Sequence, residues 1–177
     1  YADGVKKKAY QSERFSYLAS FCHQNSRVLD IGAGHGTFAV PLAPIVEHIT
    51  AVEPAHGMRV VFNEHIQEEG IQNIHVIPKR WDDVTVFSMN ADINSLYDLV
   101  FCSFAFGMLD LLDSIQKMIS VARKTIVLYW HAGDQGWDVD AQVLWPLLHG
   151  TVFTPIPKSD IIFNLLYKNF QYLQNKK

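Results

Sequence analysis

Short apolar runs alternate along this chain with longer segments in which apolar residues recur at helical spacing. Short apolar runs bounded by turn residues are typical of buried strands, and a 3.6-residue repeat is typical of helices that pack on one face. The pattern predicts strands at residues 27–29, 48–52, 74–77, 97–104 and 124–130. It predicts helices at residues 5–23, 36–45, 56–69, 110–123, 138–149 and 158–168.

The regular alternation of strands and helices predicts the fold class. Such an order is typical of α/β proteins, in which helices connect parallel strands. We therefore expect a doubly wound, mostly parallel sheet with helices on both faces, in a single domain that covers residues 1–177. Two helix ends carry their own signals: Gly70 is expected to close the helix at 56–69, and Asp110 to cap the helix that begins there.

Three alternating glycines follow the first predicted strand. The segment reads Asp30-Ile31-Gly32-Ala33-Gly34-His35-Gly36. Glycine permits positive φ and lets a ligand approach the main chain where a Cβ would block it. The first amide groups of the next helix would then face that ligand. A dinucleotide-binding turn reads G-x-G-x-x-G and would need glycine at position 37, which is Thr37.

An acidic residue also follows the second predicted strand, where the apolar run His48–Val52 ends in Glu53. In doubly wound folds an acid at this strand tip hydrogen-bonds ribose hydroxyls. Together with the glycine turn, segments 51–58, 79–83 and 97–104 follow one another along the chain in the same order as the sequence motifs of a known enzyme family. The set resembles that of the class I S-adenosylmethionine-dependent methyltransferases, with their Rossmann-like fold.

The resemblance implies S-adenosylmethionine as cofactor and S-adenosylhomocysteine as product. It implies a leading helix or lid at 1–24, a cofactor-binding core at 26–130 and substrate-side helices at 131–177. The glycine turn would hold the methionyl part of the cofactor, the second strand tip its ribose, and segment 81–82 its adenine. The cofactor-binding residues that the resemblance implies are Asp30, Gly32, Ala33, Gly34, Glu53, Pro54, Met58, Trp81, Asp82, Cys102 and Ser103.

Two features depart from the family pattern. The family usually completes its sheet with an antiparallel C-terminal strand hairpin, and the residues after Phe170 do not predict one. A truncated sequence, lost residues or a shortened fold would each explain this, and an uncovered sheet edge would favour a partner chain such as a second copy in a homodimer. The family also often has an acid where Arg80 stands, so either Asp82 contacts the adenine amino group or that contact is lost.

Composition and charge exclude several classes of protein. The formal net charge is −3, and the longest block of like charges is residues 6–8, whereas nucleic-acid-binding proteins usually carry a strong basic patch. No apolar run approaches the ~18 residues that a membrane span requires. Cys22 and Cys102 form no C-x-x-C pair, so we expect a cytoplasmic protein. The eight histidines lack H-x-H and H-x-x-x-H spacing, so we expect no metal site.

The residues after the fifth predicted strand are candidates for recognition of the methyl acceptor. Ligands bind at the carboxyl ends of strands in open α/β sheets, and segment 129–137 there is rich in aromatic and titratable groups. His131 is the predicted catalytic residue, as a proton acceptor or orienting group beside Asp134. Packing between tryptophans is an equal alternative for it. The leading helix, with Tyr10, Arg14 and Phe15, could cover the same mouth as a lid.

These features predict a methyltransferase that acts on a small-molecule acceptor. An aromatic-lined cleft with a few polar groups suits such a ligand, and natural products, quinone or corrinoid precursors and metabolite acids all stay open. Two other classes of function also stay open. One is a non-catalytic module that binds S-adenosylmethionine as a regulator or subunit. The other is a nicotinamide-dependent oxidoreductase, against which the glycine spacing argues.

Overall fold

The computed structural model describes residues 13–133, 136–154 and 158–174. The chain divides into two compact units between Tyr129 and Trp130. The helix predicted at residues 5–23 lies partly outside the described residues. Within them, helix α1 spans Glu13–Ala19, so it ends before the predicted residue 23. Within the described part, no helix is long and apolar enough to cross a membrane.

The first unit is built on a sheet of five parallel strands. Their order across the sheet is β3-β2-β1-β4-β5. From β1, the chain first builds outward in one direction to β3 and then in the other to β5, so right-handed crossovers place helices on both faces. This is the predicted doubly wound α/β fold. The strands are β1, Arg27–Ile31; β2, His48–Val52; β3, Ile74–Ile77; β4, Tyr97–Ser103; and β5, Ala122–Tyr129.

The central strands β1 and β4 are buried on both faces. Leu29 of β1 and Phe101 of β4 are both fully buried. Strands covered on both faces read as continuous apolar runs, which is why the sequence predicts them. Asp30 pairs in register with Ala51 of β2 on one side and with Phe101 on the other. An acidic residue therefore lies in the middle of the sheet, near its carboxyl edge.

Helices connect the strands of the first unit. Asp110 begins the last of them as predicted, because its carboxylate accepts the N–H of Asp113 at 3.0 Å. Gly70, with φ +63°, follows the second, also as predicted. The helices are α2, Ala39–Leu42, continued by a 3-10 turn at Ala43–Ile45; α3, His56–Glu68; and α4, Leu111–Val121.

Several predicted boundaries differ from the structure, and two of the differences have a clear physical reason. The first crossover helix begins at Ala39 instead of residue 36, because Gly36 has φ +86° and the residues after it form turns. The helix predicted at 110–123 ends at Val121, and β5 begins at Ala122, which is extended and pairs with Tyr97 of β4. Ala122 fits both the helical repeat and the strand, so periodicity alone could not separate them.

The second unit contains helices α5, Gly136–His149, and α6, Ser159–Gln174. Both were predicted, and α6 continues beyond the predicted end at residue 168. Asp138 of α5 is 3% exposed, and its carboxylate pairs with Lys158, which precedes α6. The ion pair fixes the start of one helix to the start of the other.

Candidate active site

Strand β1 runs directly into the glycine turn. Gly32, Gly34 and Gly36 have φ of +75°, +57° and +86°, in the left-handed region that favours glycine. The N–H groups of Gly32 and Ala33 donate to the carbonyl oxygen of Val52 at 2.8 and 3.1 Å. The turn is therefore fixed to the end of β2 at the carboxyl edge of the sheet. It lies where the strand order reverses beside β1, the place at which doubly wound sheets bind ligands.

The three glycines differ in the space around them. A Cβ at Gly32 would lie 2.1 Å from the Cβ of Ala105, and one at Gly36 would lie 2.4 Å from Cε2 of Phe62. A Cβ at Gly34 would meet no atom within 4 Å. Packing therefore requires glycine at positions 32 and 36. At Gly34 the backbone instead faces open space, into which a ligand can approach.

Glu53 follows β2, and its carboxylate holds the glycine turn. The residue is 6% exposed. Its Oε2 accepts the N–H of Gly34 at 2.8 Å, and its Oε1 accepts the N–H of Ala55 at 2.8 Å. An ionised carboxylate has about four acceptor sites. Glu53 can therefore brace the turn and still accept hydrogen bonds from ligand hydroxyls.

Asp30 is a second buried acid at the same edge. It is 2% exposed, and its Oδ2 is buried without a hydrogen-bond partner in the structure. Burial, and then the nearby Glu53, raise the pKa of the Asp30 carboxyl well above its usual range. Within the described part of the chain, neither acid forms an ion pair. Because an opposite charge nearby favours the ionised form of a buried acid, a cationic ligand at this edge would stabilise the carboxylates of Asp30 and Glu53.

Pro54 and Met58 follow Glu53 on the outside of the molecule. Pro54 is exposed, and Met58, in the first turn of α3, is 50% exposed. Arg59 fixes this segment by donating from Nη1 to the carbonyl oxygen of Glu53 at 3.0 Å. Both predicted cofactor residues are therefore accessible beside the acid.

Cys102 and Ser103 end β4. Cys102 is fully buried, and burial raises the pKa of its thiol to about 12; a backbone hydrogen bond from Ala105 opposes the shift and the Asp30 charge adds to it. A thiol that keeps its proton is a poor nucleophile. Ser103 is half-buried and pairs in register with Tyr129 of β5. The end of β4 therefore contributes shape and backbone groups to the edge of the sheet.

Trp81 and Asp82, predicted at the adenine, lie in a 3-10 turn that helix α4 holds. Trp81 is 4% exposed, and its Nε1 donates to the carbonyl oxygen of Ser114 at 3.1 Å. Nζ of Lys117 donates to the carbonyl oxygens of Trp81, Asp82 and Val84 at 2.9, 3.0 and 3.2 Å. The same ammonium lies 5.2 Å from the centre of the Trp81 ring. Trp81 therefore anchors the turn, with its N–H already satisfied.

Arg80 pairs with the acid of this turn. Its Nη2 lies 3.3 Å from Oδ2 of Asp82 and donates to the carbonyl oxygen of Gly107 at 3.2 Å. Oδ1 of Asp82 accepts the N–H of Leu109 at 3.2 Å. These contacts connect the predicted adenine segment to the loop that follows β4.

Helix α1 places an arginine at the same edge of the sheet. The guanidinium carbon of Arg14 lies 5.2 Å from the ring centre of Phe104 and 6.0 Å from that of Phe38. Oη of Tyr129 donates to the carbonyl oxygen of Arg14 at 3.2 Å. Phe38 follows the glycine turn, Phe104 follows β4 and Tyr129 ends β5, so all three rings mark the carboxyl edge. The sequence indicated that Arg14 could cover the site, but it did not indicate the contacts with Phe38 and Phe104. No local sequence pattern predicts contacts between these rings and α1.

His131 belongs to the second unit. Its carbonyl oxygen accepts the N–H of Ser159 at 3.2 Å, and its ring centre lies 5.3 Å from that of Trp130. Asp134, its predicted orienting partner, lies outside the described residues, as does Tyr10. The catalytic role of His131 stays a prediction. Across the described ranges, no group of three or more His, Cys, Asp or Glu side chains is placed to hold a metal ion.

The parallel sheet, the glycine turn and the acid at the tip of β2 define a class of protein, the doubly wound α/β domains that bind a nucleoside-containing ligand at the strand ends. Within that class, the chain belongs to the methyltransferase domain family, whose model matches residues 28–126. This confirms the resemblance noted in the sequence.

Two curated relatives share part of the chain. An uncharacterized protein of Haemophilus influenzae is 35% identical over 101 residues, which are 57% of this chain and 35% of that protein. The uncharacterized methyltransferase YcgJ of Bacillus subtilis is 32% identical over 84 residues, 48% of this chain and 31% of YcgJ. The matched region spans about a third of the length of these relatives.

Solved structures show the same fold. The crystal structure of YcgJ matches with a TM-score of 0.58 and 19% identity, over 96% of this chain and 68% of that one. A SAM-dependent methyltransferase from Aquifex aeolicus matches with a TM-score of 0.62 and 15% identity, over 88% and 78% of the two chains. At these identities the likeness establishes the Rossmann-like methyltransferase fold.

Proposed function

We propose that this protein is an S-adenosylmethionine-dependent methyltransferase that acts on a small-molecule acceptor. One observation carries the proposal most directly. At the carboxyl edge of the sheet, the open backbone of Gly34 lies within hydrogen-bond distance of the Glu53 carboxylate, 2.8 Å away. This places an unobstructed main-chain surface next to an acid that can accept hydrogen bonds from ribose hydroxyls.

The residues fit the charge and the shape of this cofactor. S-adenosylmethionine carries a sulfonium and an ammonium group, and the site offers two buried acids, Asp30 and Glu53, with one unsatisfied oxygen on Asp30. A side chain at Gly34 would fill the space in which the methionyl part would lie. We assign the ribose to Glu53 and the adenine to the neighbourhood of Asp82. Trp81 anchors that turn to α4 through the hydrogen bond from its indole N–H to Ser114 and through its ring contact with Lys117.

Methyl transfer requires mainly that the protein hold its two substrates in line. When bound, the cofactor supplies a methyl group already activated by the sulfonium. The rigid turn between β1 and α2 would orient it, and alignment of the nucleophile with the methyl carbon is worth several kcal/mol. If the nucleophile carries a proton, a base must accept it, and His131 is our candidate for that role.

A small acceptor fits the charge and the aromatic groups of this edge. The net charge of −3 gives no general attraction for nucleic acid. Phe104 and Tyr129 supply the aromatic surface that small-molecule sites commonly have. A cytoplasmic location accords with this function. The alternative is a regulatory module, which would bind the cofactor but would not transfer its methyl group to any acceptor.

The experiment is methyl transfer from S-adenosylmethionine with a labelled methyl group to the metabolites of a small-molecule extract. We expect label to appear in at least one small product, with stoichiometric formation of S-adenosylhomocysteine. Cofactor binding without transfer to any metabolite would favour the regulatory module. Transfer of label to RNA or protein alone would contradict the proposed acceptor class.

A further inference from the structure

Arg14 places a cation at the carboxyl edge of the sheet, near the ends of β4 and β5. Arg14 is exposed, and its guanidinium lies over the rings of Phe104 and Phe38. Its main chain is fixed to β5 by the hydrogen bond from Tyr129 at 3.2 Å. Three residues of the carboxyl edge, Phe38, Phe104 and Tyr129, therefore contact Arg14. This is more support than an ordinary surface arginine has.

In the part of the chain that the structure describes, no carboxylate pairs with this guanidinium. The other described arginines near acids behave differently: Arg80 lies 3.3 Å from Asp82, and Arg123 lies 3.5 Å from Asp98. Stacking on aromatic rings leaves the edge of a guanidinium available, and that edge presents N–H donors in a fork that matches a carboxylate or phosphate. Arg14 is thus positioned as an anion receptor.

The distribution of charge around the edge supports this assignment. Asp30 lies near the end of β1 and Glu53 follows β2, on the side proposed for the cationic cofactor. Arg14 contacts Phe104, which follows β4, and Tyr129, which ends β5, on the other side of the point where the strand order reverses, and its remaining ring contact is with Phe38 after the glycine turn. Burial raises the pKa of Tyr129, with the Tyr17 charge adding to the shift and Arg14 opposing it. Tyr129 therefore keeps its proton and leaves Arg14 as the charged group.

We propose that Arg14 binds an anionic group of the methyl acceptor, so that the acceptor is a small organic acid bearing a carboxylate or a phosphate. The inference rests on the proposed function and narrows its acceptor class. The arginine recognises the acid through a forked, charge-assisted hydrogen bond. Phe104 and Phe38 hold the guanidinium in place, and Phe104, which is exposed, gives the acceptor an apolar wall.

A first experiment needs no turnover. Uniformly ¹⁵N-labelled protein is titrated with inorganic phosphate and, separately, with benzoate, while the Nε–H signal of each arginine is followed by NMR. We expect a saturable shift of the Arg14 signal, assigned by its loss in Arg14→Lys. The anion that saturates at the lower concentration identifies phosphate or carboxylate as the recognised group. A response at Arg14 no larger than that at Arg123 would overturn the proposal.

A second experiment measures KM and kcat for whichever acceptors the labelled-methyl screen finds. We expect Arg14→Met to raise the acceptor KM by roughly ten- to hundredfold, the usual cost of a lost charge-assisted hydrogen bond, with kcat and S-adenosylmethionine affinity unchanged. Arg14→Lys should recover part of the loss. Arg123→Met is the matched control, because Arg123 lies at the amino end of β5, and it should behave as the wild type.

The outcomes separate this inference from the proposed function. Turnover of an uncharged acceptor with an unchanged KM in Arg14→Met would contradict the role of Arg14 and leave the methyltransferase function intact. Cofactor binding without turnover of any acceptor would contradict the proposed function, and the NMR titration would then decide on Arg14 by itself.

Discussion

Within the glycine turn, packing requires glycine at position 32, whereas we expect ligand binding to require it at position 34. Gly32 and Gly34 both have positive φ, so a side chain at either position strains the backbone by about 1 kcal/mol. Only at Gly32 does the added Cβ also collide, at 2.1 Å, with Ala105. We expect Gly32→Ala to lower the free energy of unfolding by about 2 kcal/mol more than Gly34→Ala. Urea unfolding of the two variants measures the difference, and equal losses would contradict the packing argument.

Glu53 has two expected roles, as a brace for the turn and as a ligand for ribose. Glu53→Ala removes the acceptors of the Gly34 and Ala55 N–H groups together with the ribose contact. We expect cofactor affinity to fall by about 1 to 3 kcal/mol in calorimetry. Glu53→Gln keeps one carbonyl oxygen and should lose less. If affinity is unchanged in both variants, Glu53 braces the turn and does not contact the ribose.

Asp30 should make stability depend on pH. Its pKa is raised in the folded state, mainly by burial and then by Glu53, so the native state holds this proton more tightly than the unfolded chain. The stability that it contributes is fully present below the unfolded pKa of about 4 and is lost as pH rises through the folded pKa. We expect Asp30→Asn to gain stability relative to the wild type as pH rises. Urea unfolding at several pH values tests this, and a difference that is constant with pH would refute it.

Among the helices and strands, α4 organises the predicted adenine segment. Lys117 donates to three backbone carbonyl oxygens of that turn, and methionine at this position would leave them without the donor. We expect Lys117→Met to lower the free energy of unfolding by about 1 to 3 kcal/mol and to weaken cofactor binding. Gln116→Met, at the exposed neighbouring position of α4, is the control. Faster amide exchange at residues 81–84 in Lys117→Met alone would support the role, and equal exchange in both variants would contradict it.

For the helices and strands, the type of each element could be predicted from the sequence better than the residues at which it begins and ends. The strands β1, β2 and β4 were recognisable because burial on both faces requires continuous apolar runs. The start of α2 was misplaced because the positive φ of Gly36 delays the helix to Ala39. The start of β5 was misplaced because Ala122 satisfies a helical repeat, and only its pairing with Tyr97 assigns it to the sheet.

For the whole molecule, the sequence predicted that the glycine turn and Glu53 lie at one edge of the sheet, but not which contacts stabilise that edge. Chain order fixes which strand ends meet, so the glycine turn and Glu53 could be placed at one edge of the sheet in advance. The contacts that stabilise the site join residues far apart in sequence. Examples are the hydrogen bonds from Lys117 to the turn at 81–84 and the cation–π contact between Arg14 and Phe104. No local pattern encodes such contacts, since they depend on how α4 and α1 pack.

Calorimetric titration of the purified protein with S-adenosylmethionine tests whether the edge formed by the glycine turn and Glu53 binds this cofactor. We expect one saturable site in the wild type and loss of binding in Gly34→Ala. Gly70→Ala is the matched control, because Gly70 also has a positive φ, +63°, with open space at its Cβ, but follows α3 away from the turn. It should bind as the wild type does. Equal affinity of Gly34→Ala and Gly70→Ala, or no binding by the wild type, would show that this edge is not the binding site for S-adenosylmethionine.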